Sequence, residues 1–187
     1  MAVMKRKGGN CMLNAVITDA DINGGEPKIM SDFSRYGSRG IILNDENLSG
    51  MILMTANGFY KLPGGGIELG EREKDAFVRE VREQTGLSCE IICELGTVEE
   101  HKGKSGFSQF SYAYLGRVRG DAKKHSAAAN ERLLDCSVNW MSLEDAAAVM
   151  NKSLEMCGDY KMRFMMMREK KIIDYVIDMI GKGEITI

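Results

Sequence analysis

Apolar and polar positions fall into blocks that change period along the chain. Residues 40–43, 51–54, 89–98 and 110–118 are rich in aliphatic, β-branched and aromatic side chains and read as strands of one sheet. Asn44-Asp45-Glu46-Asn47 before Met51 and Ala56-Asn57-Gly58 after it are turn punctuation. The first two runs therefore read as a hairpin leading into a glycine-rich loop at 64–66. From there the period becomes helical. Phe77, Val78 and Val81 share one apolar arc, and Glu80, Glu83 and Gln84 form the neighbouring arc, so one side packs on the sheet while the adjacent side faces a cleft. Ser142-Leu143-Glu144-Asp145 reads as an N-cap with an acidic first turn, continued by Ala146 to Met150. A last helix spans 159–180, with Phe164, Met165, Ile172, Val176, Ile177 and Ile180 near helical spacing and Gly181 as its stop. The expected class is α/β.

The chemistry concentrates between residues 62 and 87. Glu80 and Glu83 lie one turn apart on a helix that leaves the glycine loop, a spacing that brings two oxygen ligands together for a hard divalent cation. Without an ion, two such carboxylates repel by roughly a few tenths of a kcal/mol on an exposed helix, and a bound cation turns that repulsion into attraction. An isolated Glu-x-x-Glu is usually a solvated face, here beside Lys74, Arg79 and Arg82. The preceding Pro63-Gly64-Gly65-Gly66 and the offset of Glu71 favour the metal reading. Two other glycine motifs are excluded. No Gly-x-x-x-x-Gly-Lys-Ser/Thr run occurs, and Gly64, Gly66 and Gly70 lack the spacing of a dinucleotide fingerprint.

At these residues the chain resembles the Nudix hydrolase family, whose box reads Gly, five residues, Glu, seven residues, Arg-Glu-apolar-any-Glu-Glu-any-Gly-apolar. Gly65, Glu71, Arg79, Glu80, Val81, Glu83, Gly86 and Leu87 match it, and Gln84 stands where the family usually has a second glutamate. The likeness extends to Glu131, Trp140 and Ser142-Leu143-Glu144. It implies an α/β/α sandwich with a mixed β-sheet, here with an extra C-terminal helix. It further implies catalytic Glu80 and Glu83, and Mg²⁺ or Mn²⁺ held by Glu80, Glu83, Gln84, Gly64 and a loop carboxylate, Glu131. Arg79 and Glu71 are implied to brace the loop from behind the ligands, with Gly64, Gly65 and Gly66 lining the substrate phosphates. Gln84 offers a neutral carbonyl oxygen where a charge is usual.

The implied reaction is attack of a metal-activated water on a diphosphate linkage in a nucleoside diphosphate joined to another group. The default substrate is a nucleoside triphosphate, as for MutT-like enzymes; ADP-sugar or dinucleoside polyphosphate hydrolysis is the alternative. Family subclasses that read ADP-ribose often carry a downstream proline, and no proline follows Pro63. Gln84 also motivates a reading from another class, a nucleotide-binding sensor with little turnover. Phe59, Tyr60, Phe107 and Phe110 could stack a base or simply fill packing space.

Length and charge narrow the partners. A chain of 187 residues suits one domain with trimmings: an N-terminal extension over 1–36, the hydrolase domain over 37–157, and a C-terminal helix and tail over 158–187 in the same globule. A net charge of -2 argues against a nucleic-acid polymer as partner, and Lys5-Arg6-Lys7 is too short to change that. Gly8-Gly9-Asn10 is not the apolar core of an export signal, and no run approaches a membrane span, so a cytoplasmic protein acting on small-molecule nucleotides is expected. Cys11, Cys89, Cys93, Cys136 and Cys157 read as reduced thiols, and His101 and His125 are not arranged for covalent catalysis. Met165-Met166-Met167 more often fills core gaps than makes an interface, which leaves a homodimer as the second reading of the last helix.

Overall fold

The computed structural model describes residues 12–54, 58–119 and 136–187. Strands β1 (Leu13–Thr18), β2 (Arg35–Leu43), β3 (Ser49–Met54), β4 (Phe59–Lys61), β5 (Gly64–Gly66), β6 (Ser88–Lys102), β7 (Phe107–Arg119) and β8 (Cys136–Met141) form one mixed sheet. Helix α1 (Asp19–Asn23) follows β1, α2 (Glu73–Thr85) follows β5, and α3 (Leu143–Met156) and α4 (Tyr160–Gly181) close the chain. The strand order is β1-β6-β7-β2-β3-β4, with β5 on β2 and β8 on β3. The β1–β6 and β2–β7 pairs are parallel and the others antiparallel. This is the mixed α/β sandwich anticipated above. β2 is the seam. Gly37, Ser38 and Arg39 pair with β5, whereas Leu43 meets Ser49 of β3.

Each sheet face carries its own core, as the twofold alternation of strand side chains requires. Ile41 and Leu43 point to one face, with Leu95, Val98, Ala113 and Leu115, and meet Phe164, Met166, Ile172, Ile173 and Val176 of α4. Ile42, Tyr114 and Val118 point to the other and meet Phe77 and Val81 of α2, where the Phe77 and Tyr114 rings stack at 5.5 Å. Burying each such side chain contributes about 1.5–3 kcal/mol. Where both faces are covered, as over Ile41 to Leu43, the strand is a continuous buried run and not an alternating one.

The structure differs from the pattern reading in two places that matter for the site. The strand anticipated over 40–43 begins at Arg35, and the glycine loop is the short strand β5. Polar and glycine residues hide both strands from a hydrophobicity pattern. Their backbone groups are nevertheless paired along β2, β5 and β7.

Under α4 lies a buried charged group. Arg168 donates to Glu100 (2.5 Å) and Glu169 (2.6 Å), Arg39 reaches Glu169 (3.5 Å), and Lys102 lies 3.2 Å from Glu100. With its amide oxygen turned toward the guanidinium groups, the orientation that suits both ends, Gln109 accepts from Arg39 (3.1 Å) and Arg168 (2.9 Å). Burial and the neighbouring Arg168 bring Arg39 down to about 10. Burial alone would raise the Glu100 carboxyl, but Arg168, Lys102 and Arg39 hold it below its ordinary range. These contacts fasten α4 to β2 and β6. Among the described residues, no helix is long and apolar enough to cross a membrane.

The fastening is open to test. Glu169→Leu leaves two buried guanidinium groups short of a partner and is expected to cost about 3–5 kcal/mol in urea unfolding. A loss below about 1 kcal/mol would show that the group does not hold the helix.

Candidate active site

The site forms where α2 crosses the outer edge of β5. An edge strand exposes backbone N–H and C=O groups that need partners. At β5 those partners are side chains of α2. The Gln84 amide accepts from the Gly64 N–H (3.2 Å) and donates to the Gly64 carbonyl (3.1 Å), while Arg79 Nη2 donates to the Gly66 carbonyl (2.9 Å). α2 is itself fixed at both ends. Ser38 Oγ donates to the Glu73 carbonyl (2.7 Å) at its start, and Gly86 at φ 73° closes its end with an N–H to the Arg82 carbonyl (2.8 Å).

Arg79 is the hub. Its Nε and Nη2 donate to the two oxygens of Glu71 (2.8 and 2.9 Å), and its Nη1 donates to Glu80 Oε1 (3.2 Å) and Glu83 Oε2 (3.3 Å). With the Gly66 carbonyl, these contacts match the five N–H groups of a guanidinium. The Glu71 carboxylate holds Arg79 above its ordinary range. In return, the Arg79 hydrogen bonds, then the Glu68 N–H, hold Glu71 down at about 2.

Glu80 and Glu83 thus converge on one nitrogen. The Glu80 side chain is 14 % exposed and the Glu83 side chain 58 %, so one carboxylate is set into the wall and the other faces solvent. Glu80 lies against the backbone of Gly65, where an added Cβ would collide with its carboxyl group. Gly64 has φ 142°, and a Cβ there would strike Arg39. Only glycine fits at 64, and a side chain at 65 would push the Glu80 carboxylate aside.

These residues fit a hard divalent cation. Two carboxylates that bracket a common positive group, beside a strand stripped of side chains, provide the oxygen donors and close approach that Mg²⁺ or Mn²⁺ needs. Among the described residues, no group of three or more His, Cys, Asp or Glu side chains stands together for a metal. An ion here would therefore draw part of its shell from backbone, water or substrate oxygens, the usual state of Mg²⁺ in phosphate chemistry.

The other sequence candidates are placed as follows. Gly64, Gly65, Gly66, Glu71, Arg79, Glu80, Glu83 and Gln84 all meet at this junction, whereas Glu131 and His125 lie outside the described residues. His101 is buried, accepting from the Met30 N–H and lying 3.2 Å from Glu99. Cys89 and Cys157 are free thiols, and burial pushes Cys89 up to about 12, so it is no nucleophile. Phe59 and Tyr60 pack on the α4-side core, Phe107 lies under the Lys102 ammonium, and Phe110 joins Phe33, Tyr36 and Tyr112 in an aromatic row. Beside that row opens a cleft of about 560 Å³ lined by Arg35, Tyr36, Gly66, Leu69, Glu71 and Tyr112 among others. Sequence reasoning missed Lys61, whose ammonium approaches Gln84 Oε1 (3.5 Å). A lone lysine ahead of Pro63 carries no signal until β4 and α2 are placed side by side.

Comparison with known proteins adds to this geometry. A NUDIX domain model matches residues 35–157. A curated protein of Caenorhabditis elegans, "Putative nudix hydrolase 1", is 25% identical over 125 residues, covering 64% of this chain and 32% of the relative. The chain therefore aligns with about a third of that relative's length. Among solved structures, a NUDIX hydrolase from Nitrosomonas europaea superposes with a TM-score of 0.54 at 17% identity, covering 81% of this chain and 90% of that one. The structural likeness shows the fold.

The Glu71–Arg79 pair sets a pH dependence. Because Glu71 is depressed from 4.5 to about 2, its contribution to stability is fully present above about pH 5 and is lost as pH falls through its folded value. Acid titrations of wild type and Glu71→Gln should differ by a constant amount above pH 5, with the gap closing toward pH 2. A gap independent of pH would remove the ion pair from the account.

Proposed function

The chain belongs to the NUDIX family, and from that premise we propose that it is a divalent-cation-dependent pyrophosphohydrolase. Its substrate is a nucleoside diphosphate linked to another moiety, with a nucleoside triphosphate as the first choice. The observation that carries this reading is the convergence of Glu80 and Glu83 on a single positive group at the bare edge of β5.

Glu80 and Glu83 would hold Mg²⁺ or Mn²⁺, with the Gly64 carbonyl as a further oxygen donor. When bound, the cation lowers the pKa of a water and offsets the charge that grows on the phosphate oxygens. Glu80, set into the wall, would take the proton of the attacking water, with Arg79 fixing its orientation. The glycines of β5 let the substrate's phosphates come close to the main chain. The cleft beside Gly66 suits the group beyond the phosphates. Tyr36 and Tyr112 in the cleft wall would meet a base, with Arg35 standing among Glu68, Glu71 and Glu73. The lack of any proline after Pro63 supports a triphosphate over ADP-ribose.

A screen of nucleoside triphosphates, nucleotide sugars and dinucleoside polyphosphates with Mg²⁺ or Mn²⁺, run in ¹⁸O-water, identifies the bond broken and the phosphorus attacked. Release of pyrophosphate with a nucleoside monophosphate from a nucleoside triphosphate is the expected result. Tight capture of a nucleotide without product would replace the enzyme by a sensor. Glu80→Gln should keep the thermal midpoint while lowering turnover by about 100- to 10,000-fold. A variant with near-full rate would take Glu80 out of the mechanism.

A further inference from the structure

We propose that Gln84 is a neutral clasp that presets the glycine strand and Glu80 before any cation arrives, and that it is not itself a metal ligand. The side chain is used to capacity. Its oxygen accepts from the Gly64 N–H (3.2 Å) and lies 3.5 Å from the Lys61 ammonium. Its NH₂ donates to the Gly64 carbonyl (3.1 Å) and to Glu80 Oε2 (2.8 Å). An amide has two donors and an oxygen with two lone pairs, so this is a full complement. The partners also fix which end is which. Reversing the amide would set NH₂ against the Gly64 N–H and a lysine, and oxygen against a carbonyl and a carboxylate.

That arrangement is an exchange of chemistry at one position. A glutamate at 84 would face the Gly64 carbonyl and the Glu80 carboxylate with oxygens alone, and only a cation could join the three. Gln84 joins them through N–H groups whether or not an ion is present. Its single oxygen is already committed to two donors, one of them positively charged, so a second cation there would have to displace both. The remaining oxygen donors are Glu80 Oε1 and Glu83, anionic oxygens that share Arg79 Nη1 and keep spare lone pairs, and the Gly64 carbonyl, which has a second lone pair. The metal half of this inference rests on the reading given under Proposed function, whereas the clasp stands on the hydrogen bonds alone.

Amide hydrogen exchange at Gly64, compared in EDTA and in Mn²⁺, separates the two halves. Wild type should protect the Gly64 N–H in EDTA, with less than a twofold change on adding Mn²⁺. Gln84→Met, which keeps the length but not the polar groups, should exchange about five- to tenfold faster in both conditions, the loss expected for one backbone-to-side-chain hydrogen bond. Gln84→Glu keeps an acceptor for the Gly64 N–H but sets its carboxylate against the Gly64 carbonyl and Glu80, so it should be less protected than wild type in EDTA and gain protection with Mn²⁺. Exchange at Phe77 and Tyr114 serves as the folding control, and should be unchanged in both variants. Equal protection of Gly64 in wild type and Gln84→Met, or wild-type protection that appears only with Mn²⁺, would overturn the clasp. If the metal-free contrast holds but Mn²⁺ changes nothing in Gln84→Glu, the clasp stands and the metal half falls, while the hydrolase reading is decided separately by the turnover screen.

Discussion

The strand of three glycines has an open edge, and closing that edge is the constraint around which the site is built. A short strand without side chains can contribute little packing of its own, so its position is set by where its backbone groups find partners. On one side β2 supplies them. On the other, Arg79 and Gln84 reach across from α2 and take the N–H and carbonyl of Gly64 and the carbonyl of Gly66. The same two side chains also bind Glu80, and Arg79 binds Glu83 as well. Edge closure and carboxylate placement are therefore one event. Arg79 performs it at a position no lysine could fill, because a point-like ammonium with three donors cannot serve five acceptors spread around a plane.

Behind the glycine strand, the opposite face of the sheet is fixed in another way. Arg39 lies directly across from Gly64 in the β2–β5 register and points toward α4, where Glu169 meets it. The site therefore has charged anchors on both faces of the sheet. Arg79 with Glu71 is partly solvated, and the Arg39, Arg168, Glu100 and Glu169 group is buried. Buried ion pairs contribute little net stability, yet removing one partner is costly, and this makes such a group effective at fixing a single arrangement. α4 follows the segment matched by the family model.

The parts of this arrangement that follow a regular period were legible in the sequence. α2 could be placed from its apolar arc, α3 from the Ser142 cap, and α4 within a residue at each end, because helix caps and 3.6-residue spacing are local signals. The helix wheel also put Glu80, Glu83 and Gln84 on one stripe. Edge pairing is not local, and so β5 read as a loop and β1 did not register at all. Glu100, Lys102, Arg168 and Glu169 carry no signal in the sequence, since nothing in their spacing says that strand and helix bury them against one another. Gln84 was visible as a departure from a pattern, but what it does became clear only once Gly64 lay beside it.

The central claim is that Glu80 and Glu83 share one ion at the edge of the glycine strand. The most direct measurement is the anomalous diffraction of manganese in crystals of the wild-type protein. The account predicts a peak within ligand distance of both carboxylates and the Gly64 carbonyl, with Gln84 still paired to Gly64. Manganese bound elsewhere, or a peak contacted by Gln84 with its hydrogen bonds to Gly64 broken, would contradict it.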